Sequence, residues 1–229
     1  MAQENTSYIA QLPIGDLLLT LHPEKAEQRQ TKARDAQALM IVAKKNGINI
    51  TRDKERSIAQ DPASYKDSIA PSIENFSEQL EEAYAVIDAR EGIDPTLKVP
   101  PFGALIKLQV PEDQRHEIDI ALALQLAARI HVITQPEYNG DPQFARAVTT
   151  DNDIPVVQSL SNLFNTLRDM ESPADRLAHL NQNIASGSLE QRAISIIQTN
   201  GVMAAYHLLT VELTPPEFGI IQGMTGSSR

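Results

Sequence analysis

Cysteine is missing from all 229 residues, and with it go disulfides, thiolate metal sites and a cysteine nucleophile. Tryptophan is missing too, and aromatic residues make up only 4%, so platforms for stacking bases or sugars are poorly supplied. Positive charge is scarce. Twenty Lys and Arg against thirty Asp and Glu leave a formal net charge of −10, which argues against unaided nucleic-acid binding. Long hydrophobic runs are also lacking: the most apolar segment, residues 118–133, carries Asp119, Gln125, Arg129 and His131 and falls short of a bilayer crossing. No basic residue precedes Leu17-Leu18-Leu19, and that run stops at His22-Pro23, so the opening does not read as a secretory signal. The expectation is a cytoplasmic protein with no membrane insertion; the polar start is also compatible with a signal-less secretion route. The phosphate-cradling patterns GxxxxGK[ST] and GxGxxG are absent, as is the GxSxG elbow.

What is present is an ordinary globular composition, 41% hydrophobic and 22% charged. A chain of this length buries roughly 70–75% of its unfolded surface and needs no covalent staples. Hydrophobic spacing is helical wherever it is legible. Ile73, Phe76, Leu80, Tyr84 and Ile87 alternate steps of three and four, with Glu74, Glu78, Glu81 and Asp88 off the stripe. Val156, Leu160, Leu163, Leu167 and Met170 repeat the pattern after Pro155. Leu177, Leu180 and Ile184 do so after Pro173, and Leu189, Ala193, Ile196 and Ile197 after Ser188. Residues 24–46 read as one long helix ending at Gly47, its first half solvated and its second half buried around Leu39, Met40, Ile41 and Val42.

Residues 112–130 are apolar on every side, the signature of a helix enclosed by its neighbours. The expected fold class is therefore mainly α, with about six to eight helices around this central one. The expected organisation is a flexible segment 1–14, a single helical domain over 15–222 with Pro-rich connections at 92–111 and 134–155, and a flexible tail 223–229. An internal echo stands out. VPPFGALIK from Val99 and TPPEFGIIQ from Thr214 both follow two prolines with Phe-Gly, and the alternation in LIKLQV admits a short strand pair over 103–110 and 218–222.

Candidate sites are few. His116 and Asp119 lie three apart, one helical face, and suit a base with its orienting carboxylate or a metal site; Ile120 occupies the place where the zinc-hydrolase pattern needs its second His. Acidic residues opening a helix explain the same cluster through the helix dipole. Arg129, four residues after Gln125 in the apolar stretch, needs a carboxylate or carbonyl partner; it serves either as an anion clamp or as a structural pairing across the core. Asp151-Asn152-Asp153 spells an Asp-x-Asp metal pattern, which turn and capping chemistry explains as well. The spacing at Ala43 to Ile48 resembles a helix-turn-helix turn, but the following residues, Thr51 to Arg56, are charged at nearly every position and do not form a recognition helix with an apolar inner face.

The leading functional expectation is a non-enzymatic interaction protein, an adaptor, inhibitor or regulator, using helical surfaces against another protein with a basic surface. Glu24, Glu27 and Arg34 on the solvated half-helix, with Glu74, Glu78 and Glu81, are the expected partner-binding residues. The alternative is a small hydrolase or metal-dependent enzyme with a pocket near the central helix, using His116, Asp119 and Arg129. No resident cofactor or metal is expected.

Overall fold

The protein is described by a computed structural model covering residues 2–89, 93–146, 154–183 and 188–213. Among these residues there are thirteen α-helices and no strands, so the chain is mainly helical. The helices are α1 Ala2–Gln11, α2 Ile14–Leu21, α3 Pro23–Lys45, α4 Arg52–Gln60, α5 Pro62–Ile69, α6 Phe76–Asp88 and α7 Phe102–Leu108. They continue with α8 Arg115–Ile133, α9 Pro142–Ala145, α10 Pro155–Arg168, α11 Pro173–Asn183, α12 Leu189–Asn200 and α13 Val202–Leu213. The count exceeds the expected six to eight because proline punctuates the chain. Pro23, Pro62, Pro142, Pro155 and Pro173 each occupy the first residue of a helix, where the missing N–H costs nothing, and Pro13 and Pro101 each stand one residue before one.

The chain divides into two compact units, one formed by residues 1–12 and 116–229, the other by the continuous segment 13–115. Within the 13–115 unit the surrounded helix is α3, which packs against α2, α4, α5, α6 and α7. Every residue from Ala36 to Ala43 is buried, whereas in the first turns Arg29 is the buried exception among exposed and half-buried positions. Ile58, Tyr65, Ile69, Phe76, Leu80, Leu105 and Ile106 complete that core. The helix stops where the sequence says it should. Gly47 takes φ +73°, and the Ile48 N–H donates to the Ala43 carbonyl at 2.9 Å, closing the last turn.

The segment expected as a strand, 103–110, is instead helix α7 and its exit. No strand exists among the described residues to pair with it, and a helix satisfies its own backbone groups. This helix makes a close tertiary contact. Gly103 of α7 lies against Gly15 of α2 so closely that a Cβ on Gly15 would fall 2.3 Å from the Gly103 carbonyl oxygen. Both helices share a pattern, a proline, an apolar residue, then the contacting glycine (Pro13-Ile14-Gly15 and Pro101-Phe102-Gly103), followed by buried Leu17-Leu18 or Leu105-Ile106. The other expected strand, 218–222, and the tail 223–229 lie outside the described residues, as do Asp151-Asn152-Asp153 and Gly187.

In the second unit, α8 is buried at every position from Asp119 to His131, so no face of that stretch meets solvent. The chain start, expected as a flexible lead-in, is helical from Ala2 to Gln11 and buries Ile9 and Ala10. Helix α1 packs against α12 and α13, and α10 against α11 and α12.

Candidate functional site

Helices α3 and α6 run antiparallel in the 13–115 unit, with Arg34 beside Asp88, Asp35 beside Tyr84, and Asn46 beside Gln79. The two helices pack together and bury Ala33, Ala36 and Met40 on α3 and Leu80 and Ala83 on α6, while Gln30, Thr31, Arg34 and Gln37 lie along one edge of α3. Those four, with Ile87, Asp88 and Phe102, line a groove of about 690 Å³.

Arg34 is the organised charge in this groove. Its Nε donates to Asp88 Oδ1 at 2.8 Å and its Nη2 to Asp88 Oδ2 at 2.6 Å, a two-pronged pair. Its guanidinium carbon lies 4.2 Å from the Tyr84 ring centroid. The hydrogen bond to Asp88 holds the Arg34 pKa above its ordinary value, and the same bond holds the Asp88 carboxyl below the usual range. Solvent reaches both groups, so the pair fixes geometry more than it adds stability. Beneath it, the Tyr84 hydroxyl donates to Asp35 Oδ1 at 2.8 Å; burial, then that bond, push the phenol up to about 12. Gln37, buried, donates from its side-chain amide to the Pro100 carbonyl at 3.2 Å and ties α3 to the approach of α7.

Of the expected partner-binding residues, Arg34 lines the groove, and Glu24 and Glu27 extend its α3 edge by the three- and four-residue spacing of a helix face. Glu81 stands seven residues before Asp88 on the same side of α6; Glu78 is on the outward side, and Glu74 precedes the helix. All five glutamates are exposed. Among the described residues, Glu27, Glu74, Glu78 and Glu81 form no ion pair, while Glu24 lies 3.5 Å from the His22 ring.

His116 and Asp119 share one face of α8, but Arg129 is not brought to them. Helix α8 is unbroken from His116 through Arg129, which places Asp119 and Arg129 about 15 Å apart along its axis. His116 is half-buried and Asp119 buried. Arg129 donates from Nε to the Ala10 carbonyl at 3.1 Å and from Nη1 to the Arg146 carbonyl at 3.0 Å; one turn earlier, the Gln125 amide donates to the Leu12 carbonyl. These two side chains thus satisfy carbonyls at the open end of α1, where helix geometry supplies no partners. Burial lowers the Arg129 pKa, though a guanidinium stays charged.

Besides Arg29 and Arg129, a third arginine is buried that the sequence did not single out. Arg176 donates to the carbonyls of Leu167 at 3.0 Å, Met170 at 2.9 Å and 2.5 Å, and Ile133 at 3.3 Å, closing the ends of α10 and α8. The neighbouring Leu177, expected on the apolar stripe, is exposed. The available signal was spacing, since Arg176 stands four residues before buried Leu180. In the same corner Met170, Glu171, Asp175, Ala178, His179 and Gln182 line a shallower hollow of about 490 Å³. Among the described residues no group of three His, Asp or Glu is placed to hold a metal ion, and no helix is long and apolar enough to cross a membrane.

No family model, curated protein or solved structure matches the chain.

Proposed function

We propose that this protein acts by binding another protein, as an adaptor, inhibitor or regulator, and that the 13–115 unit supplies the contact surface. The observation that carries this reading is the α3–α6 groove, whose two edges continue into exposed glutamates, of which Glu27 and Glu81 have no ion partner among the described residues. Carboxylates held on rigid helices attract a basic partner surface, raise its encounter rate, and lose that advantage as salt rises. Arg129 supports the same reading from the other unit, because its guanidinium is spent on backbone carbonyls and leaves the tentative catalytic set without its anion clamp. We further infer that α8 is the hub of its unit, holding α1 through Gln125 and Arg129, and that the protein works in the cytoplasm. The test is affinity capture from the native host with the tagged full chain at low and high salt. A partner retained at low salt and released at high salt is the expected result; no retained protein at low salt refutes the reading.

A further inference from the structure

We infer that the α3–α6–α7 groove is the seat of a basic, amphipathic segment of a partner protein, anchored by an apolar side chain between Ile87 and Phe102. The inference rests on the interaction reading and specifies its site and occupant. Charge complementarity carries it. Because α3 and α6 run antiparallel, the N-terminal half of α3 extends past the C-terminal end of α6, so acidic residues flank the groove on both sides. On one side Glu27 stands seven residues before Arg34, and Glu24 one turn further out; on the other, Glu81 stands seven residues before Asp88. Each span is about 10 Å along its helix axis.

The middle of that line is different in kind. Ile87 and Phe102 are half-buried and line the cavity, with Gln30, Thr31 and Gln37 supplying amide and hydroxyl groups. A cavity of about 690 Å³ accommodates large apolar side chains, and Arg34 does not repel a basic segment strongly because Asp88 neutralises it at 2.6 Å. The occupant is therefore apolar at its centre and cationic at both ends. Across roughly 20 Å this corresponds to a helix of about 14 residues.

The probe is a fluorescein-labelled peptide of about 14 residues with leucines on one helical face and lysines on the other, titrated into the full chain at low salt with anisotropy as the readout. A scrambled peptide of the same composition and a glutamate-for-lysine version are the comparators. The amphipathic basic peptide should bind at least about tenfold more tightly than either. Thr31→Trp, which fills the groove from an exposed helix position, should weaken it by about tenfold or more, and the surface double variant Glu27→Gln/Glu81→Gln by about tenfold. Glu137→Gln/Glu171→Gln removes the same charge elsewhere and should change affinity by less than about twofold. Equal binding of the scrambled peptide, or indifference to Thr31→Trp and Glu27→Gln/Glu81→Gln, overturns the assignment. Capture of the same host protein by wild type and Thr31→Trp alike also overturns this seat, while leaving the interaction reading standing.

Discussion

Alanine at Gly15 and alanine at Gly103 should move stability in opposite directions, although the two glycines touch each other. A Cβ on Gly15 would lie 2.3 Å from the Gly103 carbonyl oxygen and 2.8 Å from its carbonyl carbon and Cα. All three are backbone atoms and cannot swing aside, so α2 and α7 must separate by about 1 Å to restore ordinary contact. That loosens the seats of Leu17, Leu18, Leu105 and Ile106, all fully buried. Overpacking of this kind costs about 1–3 kcal/mol, against a helix-propensity gain of up to about 1 kcal/mol for replacing glycine. Gly15→Ala should therefore be less stable by roughly 1–2 kcal/mol. A Cβ on Gly103 meets only Pro13 Cβ, at 3.9 Å, so Gly103→Ala keeps the propensity gain, up to about 1 kcal/mol, without the clash. Circular dichroism during heating and urea titration measures both, and the Gly15→Ala midpoint should fall by roughly 2–8 °C. A Gly15→Ala protein as stable as Gly103→Ala would refute the close crossing of α2 and α7.

Arg129→Ala strips two carbonyls of a charged donor and should destabilise by about 2–4 kcal/mol, with the loss of hydrogen-exchange protection concentrated in α1; unchanged protection there would contradict the assigned role. Burial holds the His131 pKa below its ordinary 6.5, with the Gln135 amide nitrogen 3.3 Å from its Nδ1. The unfolded chain therefore takes up this proton first, and stability falls as pH drops below 6.5 toward the folded value, by at most about 1.4 kcal/mol per pH unit. His131→Gln should flatten that slope just below pH 6.5, and an identical slope would rule His131 out. Tyr84 has the opposite sign: its phenol is raised to about 12, so its contribution is complete below the unfolded value near 10 and is lost as pH climbs toward 12. An ultraviolet titration should show a late-ionising tyrosine that disappears in Tyr84→Phe. Residues 13–115 contain a continuous core of their own, and the isolated segment should be helical and melt cooperatively; a disordered fragment would instead favour the single domain expected over 15–222.

Helix existence was legible because its causes are local. The stripe Phe76, Leu80 and Ile87, the prolines at helix starts, and Gly47 at the end of α3 act within a few residues of themselves. The same crowding of apolar residues that marked α8 also marked Ala36 to Ala43, and both stretches are buried throughout. Part of the groove was legible too, through the polar half of α3 that carries Arg34, but Ile87, Asp88 and Phe102 join it only by distant packing.

The sequence by itself determined a helical chain, its proline-set starts and a net negative charge, because periodicity and φ restriction act between neighbouring residues and charge is a sum over side chains. Only the tertiary structure decided that residues 102–108 are helix rather than strand, since no strand lies beside them among the described residues and a helix pairs its own backbone groups. It also decided that Arg176 goes inside while Leu177 stays out. An arginine is normally costlier to bury than a leucine, and the preference reverses only where unpaired carbonyls wait at the ends of other helices.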